Sequence, residues 1–222
     1  MNAWRSLLSA DPVDWLLEQE NPFVRLHTLT PEDRSRALRQ EADEVLALIG
    51  LHELVAPIGP LTPTGSYFMD LMMYPDIDMN LPHTTPERLM SIGVELSKLE
   101  CVTKLRYLRG KDGPLKGGFY LKPEIEHGDW GRLWKIDIWS LPPPVLDKVQ
   151  REMVDLKNRM TATHRTIILD TKYRLLTEEG RTPMFSGIFI YRAVINLGMT
   201  QQREIDAYLT ENDIVLSPTV TR

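Results

Sequence analysis

A single cysteine, Cys101, stands among the 222 residues. No intramolecular disulfide can form, and a cysteine-built zinc site is excluded. A basic excess is missing too: 26 Lys and Arg face 31 Asp and Glu, a formal net charge of -5. A chain built to grip long nucleic acid advertises the opposite balance. No run approaches the roughly 18 uninterrupted apolar residues of a membrane span. The opening MNAWRSLLSADPVDW has no apolar core of signal-peptide length before Asp11 and Asp14. His27, His52, His83, His127 and His164 show no metal-ligand spacing. Internal repeats and low-complexity tracts are lacking as well. These absences lead us to expect a cytoplasmic protein.

What is present is ordinary for a globular chain: 42% hydrophobic and 26% charged residues, which argues against disorder. Three regions are expected: N-terminal helices over 1–50, a mixed α/β core over 51–142 and a helical C-terminal region over 143–222. Asp11 and Pro12 open one or two short helices before residue 29. Thr30 and Pro31 start a longer one, with Leu38, Ala42, Val45, Leu46 and Ile49 at helical spacing and Gly50 at its end. SYFMDLMMY reads as a short helix, and DIDMNLP alternates with the period of a strand. Thr85 and Pro86 start the next helix. CVTKLRYL and GGFYLKPEIE form a hairpin pattern, RLWKIDIWSL reads as a strand, and LPPP ends the sheet. Helices are expected near 145–160, 163–178, 184–197 (opened by Pro183) and 201–211, with Gly180 and Gly198 between them and a surface tail over 213–222.

The chemistry concentrates in five residues. Gly65 lets a phosphate approach the backbone closely, and the Ser66 hydroxyl can donate to it. Exposed N–H groups at the start of a short helix suit an anion there. Asp76 and Asp78, two apart on a strand, project from one face, with Ile77 anchored in the core between them. Two converging carboxylates repel, and a divalent cation resolves the conflict. Magnesium favours such oxygen ligands together with phosphate oxygens and water. Asp137, between Ile136 and Ile138, adds a third carboxylate, able to hold metal or act as general base. Lys135, on the same face, is the alternative partner for Asp137.

The string GSYFMDLMMYPDIDM, followed later by IDI, resembles the polymerase-β-like nucleotidyltransferase superfamily, whose pattern is Gly-Ser, a gap, then acidic-apolar-acidic. The resemblance covers about residues 54–140. The helices beyond are similar to the bundle of small antibiotic-modifying or toxin-like members. It implies an α+β fold: a mixed β-sheet core flanked by helices, with a C-terminal helical bundle. It further implies a metal-dependent enzyme that uses Mg²⁺ or Mn²⁺ to move an NMP from an NTP, ATP included, to a hydroxyl-type acceptor, releasing pyrophosphate. Asp76, Asp78 and Asp137 are then the catalytic and metal-binding residues, and Gly65 and Ser66 cradle the phosphates.

The sequence departs from that pattern in one place. Phe68, Met69 and Asp70 stand where smaller or basic residues are usual, and no Lys or Arg lies between Ser66 and Asp76. Positive charge for the triphosphate must come from elsewhere. Lys172 and Arg192, on C-terminal helices, are the candidates, against simple surface charge. The hairpin cations Lys104, Arg106, Arg109, Lys111, Lys116 and Lys122 read first as a solvated surface. The net charge favours a small-molecule acceptor, with tRNA or protein as alternatives. The atypical segment also supports a rival reading, a catalytically degenerate nucleotide-binding or protein-interaction module of the same fold.

Overall fold

The computed structural model describes residues 29–111, 113–177, 181–183, 186–212, 214 and 216–218. The expected helices before residue 29, Gly180 and most of the expected tail lie outside these residues. Helix α1, Pro31–Leu48, begins where the Thr30 side chain accepts from the Asp33 backbone N–H. It is followed by α2, Leu51–Val55, entered through Gly50 at φ 59. Strand β1, Thr62–Thr64, leads into α3, Gly65–Met69, and then β2, Asp76–Pro82. Helix α4 spans Pro86–Leu96, capped by Thr85. The hairpin strands are β3, Val102–Arg109, and β4, Phe119–Ile125, and β5 is Trp134–Leu141.

One five-stranded sheet results, in the order β1-β2-β5-β4-β3. Only β2 and β5 run parallel, with Asp76 beside Lys135 and Asp78 beside Asp137; the other pairs are antiparallel. The architecture is α+β with a mixed sheet. Alternation sends Ile77, Met79, Leu81, Leu121, Ile136 and Ile138 into a core shared with Leu38, Ala42 and Val45 of α1 and Leu89, Ile92 and Leu96 of α4. Asp76, Asp78 and Asp137 therefore lie on the opposite face, away from that core.

The C-terminal part continues with α5, Pro143–Arg159, and α6, Ala162–Thr177. After strand β6, Arg181–Pro183, come α7, Ser186–Tyr191, a π-helical turn over Arg192–Asn196, and α8, Gln202–Glu211. A second core joins these helices, through Leu156, Ile168, Leu169, Ile190, Val194 and Ile205, to Met69, Leu71 and Met73. Two boundaries differ from expectation. Pro183 closes a strand instead of opening a helix, and the helix starts at Ser186. Leu216–Pro218, expected in a loose tail, is β7 and pairs antiparallel with β6. A three-residue edge ladder tolerates a proline at its end, where no N–H is needed, and this gives the short segment backbone partners. Among the described residues no helix is long and apolar enough to cross a membrane.

Candidate active site

The site is built on the β2–β5 pair. Asp76 and Asp78 share one face of β2, separated by fully buried Ile77. Asp137 sits directly beside Asp78 in the parallel register, about 4.8 Å away across the sheet at the backbone. The Gly65 turn closes over this row. Its φ is +57, and a Cβ placed there would lie 2.0 Å from Asp78 Oδ2. Only glycine allows both that backbone and that approach. Four of the five residues singled out in the sequence are thus brought together, and Ser66 follows Gly65 directly in α3.

The electrostatics mark the row as under-compensated. Burial pushes Asp76 up to about 7, with the Asp137 charge adding to the effect and Lys122, Lys135 and Lys172 opposing it. Burial also pushes Asp78 well above the usual carboxylate range, reinforced by Asp76 and Asp137. Asp76 Oδ1 is buried with no hydrogen-bond partner, and so is Nδ2 of Asn80, further along the same face of β2. Buried polar atoms are almost always paired, so two such atoms flanking Asp78 indicate a face shaped for a polar ligand.

Asp137 differs from its neighbours. Lys122 Nζ lies 2.9 Å from its Oδ1, and the Tyr120 hydroxyl donates to the same oxygen at 2.8 Å. Lys135, the expected alternative partner, faces Asp76 instead. The sequence reading placed Lys122 on a solvated hairpin, yet its side chain is only 15% exposed. Tyr120 and Asn80 were missed altogether. The signal for Lys122 and Tyr120 was the alternation of FYLKPEI, which puts them on the face opposite Leu121 and Ile125. What could not be read was which strand lies beside β4.

The two basic candidates on the C-terminal helices part ways. Lys172 is 3% exposed. Its Nζ donates to the Leu71 carbonyl and lies 3.5 Å from the Tyr191 hydroxyl. Burial lowers it to about 8, while Asp78 and Asp76 pull it back up, which puts its charge within reach of the acidic row. Arg192 is engaged by Glu152, with Nη2 2.6 Å from Oε1, and lies over the Phe189 ring.

The donors present suit a hard divalent cation: all are carboxylate oxygens, one of them buried and unpaired. Asp76 and Asp78 are the pair that could hold it. Among the described residues, however, no three acidic or imidazole side chains stand ready as a ligand cluster. At Asp137, Oδ1 is turned to Lys122 and Tyr120.

No protein-family model matches the chain, and no curated protein does. Several solved structures are similar. Cid1, which has RNA terminal uridylyl transferase activity, shares 17% identity over 66% of this chain and 43% of its own, with a TM-score of 0.46. A cytoplasmic RNA terminal U-transferase shares 14% over 76% of this chain and 54% of its own, TM-score 0.49. The non-canonical poly(A) polymerase complex GLD-2–GLD-3 gives 12% over 76% and 58%, TM-score 0.47. The chain spans about half the length of these structures.

Proposed function

We propose that this chain is a metal-dependent nucleotidyltransferase, transferring an NMP from an NTP to a hydroxyl-type acceptor. The observation that carries this reading is the row Asp76, Asp78 and Asp137 on one sheet face, closed by a glycine turn that touches Asp78. Asp76 and Asp78 would hold Mg²⁺ or Mn²⁺. Such an ion, when bound, neutralises triphosphate charge and lowers the pKa of an attacking hydroxyl. Gly65 leaves the backbone clear for the phosphates, and the Ser66 hydroxyl donates to a phosphate oxygen. Lys172, within electrostatic reach of Asp78 and Asp76, contributes positive charge. The acceptor oxygen attacks the α-phosphorus, and the bond from that phosphorus to the pyrophosphate oxygen breaks. The hydroxyl proton passes to Asp137 acting as general base, and pyrophosphate leaves. Tyr120 stays protonated throughout, because burial and the adjacent Asp137 both push its hydroxyl upward.

The test is transfer of label from each NTP, with Mg²⁺ or Mn²⁺, to acceptors in a cell extract. Asp76→Ala with Asp78→Ala is expected to lower transfer by at least about 10³-fold, beyond the loss of a single stabilising donor. Transfer that survives the double substitution refutes the mechanism. Nucleotide binding with no transfer by the wild-type chain favours the degenerate module instead.

A further inference from the structure

Lys122 and Asp137 are fixed opposite each other by the backbone, not by a chance meeting of surface chains. The β4–β5 register pairs Leu121 with Ile138 and Glu124 with Lys135, which sets Lys122 across from Asp137. The ammonium lies 2.9 Å from Oδ1, with side chains 15% and 22% exposed. Tyr120, two residue pairs along on the same face, donates to the same oxygen and lies against the Trp139 ring, 4.7 Å away. A resident cation therefore occupies one oxygen of the third carboxylate. The charge of Lys122 extends across the row and also opposes the upward shifts of Asp76 and Asp78.

We propose that Lys122 is a built-in competitor for Asp137, holding the third carboxylate away from divalent metal until nucleotide is bound. The inference rests on the nucleotidyl-transfer reading above. Without nucleotide, the chain then loads metal through Asp76 and Asp78, with Asp137 neutralised by its own ammonium. Nucleotide phosphates offer Lys122 a second anionic partner, and its release frees Asp137 for the metal and for the acceptor proton. Lys122 is in this sense a positioning residue that acts through Asp137.

The experiment is Mn²⁺ binding to the full chain without nucleotide, followed by calorimetry and by the electron paramagnetic resonance signal of free Mn²⁺. Lys122→Met is expected to tighten Mn²⁺ binding about tenfold or more, the equivalent of one pKa unit of charge interaction. Lys122→Arg keeps the charge and should bind as the wild type does. Lys122→Gln, which keeps a donor without charge, should behave like Lys122→Met and serves if Lys122→Met does not fold. A purely structural lysine would leave Mn²⁺ affinity unmoved. Unchanged or weaker binding in both neutral variants, with wild-type binding that depends on Asp78, overturns the role of Lys122 alone. Binding that survives Asp76→Ala with Asp78→Ala, or no binding by any variant, overturns the site as well.

Discussion

Two neighbouring stretches of this chain treat their polar atoms in opposite ways. The connection from Tyr67 to Met73 has no basic residue, yet its carbonyls are captured one after another by cations from three helices. Arg39 donates to Tyr67 O at 2.8 Å, Lys157 to Phe68 O, Arg165 to Asp70 O at 2.6 Å, Lys172 to Leu71 O and Arg34 to Met73 O at 2.8 Å. Asp70 sits at the centre in the left-handed conformation, φ 57. Its carboxylate meets Arg39 at 2.9 Å and Lys157 at 3.3 Å. A few residues on, Asp76 and Asp78 share a face with an unpaired buried oxygen. The first stretch has most of its carbonyls engaged by cations and serves as a platform. The second keeps a buried oxygen without a partner, which fits the ligand-binding face proposed above.

The comparison can be broken most sharply at Gly65, where platform meets site. Gly65→Ala forces a Cβ to within 2.0 Å of Asp78 Oδ2 at a φ of +57. The left-handed backbone alone costs about 1–2 kcal/mol. Displacement of Asp78 should lower NMP transfer by on the order of 10²-fold, measured as label transfer beside a thermal melt. Asp70→Ala tests the platform itself. Loss of two partly exposed ion pairs, with Ala less tolerant than Asp of the left-handed backbone, should cost about 1–3 kcal/mol in denaturant melts. Asp70→Gly should recover the backbone share, and both variants should disturb transfer less than Gly65→Ala does.

The acidic row also predicts a pH dependence. Asp76 is raised from 3.8 to about 7 in the folded chain, so the native state holds that proton more tightly than the unfolded one. Its contribution to stability is fully present below about pH 4 and is lost as pH rises through about 7. Without divalent ions, the melting temperature should fall between about pH 5 and pH 8, and Asp76→Asn should flatten that fall. Addition of Mn²⁺ should restore stability at the upper end, where Asp76 is ionised and able to bind it.

The local parts of this design were legible in the sequence because each rests on spacing. Period-two alternation places Asp76 and Asp78 on one face, and Thr30-Pro31 and Thr85-Pro86 mark helix starts that the structure reproduces. The partners of the acids were not legible. Lys122 reaches Asp137 only because β4 lies beside β5, a fact of sheet order that no single strand encodes. Lys135, nearer in sequence, is turned toward Asp76 by the parallel register. Asp70 stood out as a departure from the family pattern, and its role as a junction depends on α1, α5 and α6 arriving from distant parts of the chain. The net charge also hid how many of the cations are drawn inward onto one short segment.

The parallel pairing of β2 with β5 also has a bearing on how the protein comes to be made. The first two acids emerge from the ribosome well before the strand that carries the third, with α4 and the whole β3–β4 hairpin synthesised in between. Until β5 docks, the acidic pair has neither its neighbouring carboxylate nor the lysine on β4 brought into place. The row of three acids is therefore completed only with the long-range step of folding, the slowest kind of contact to close.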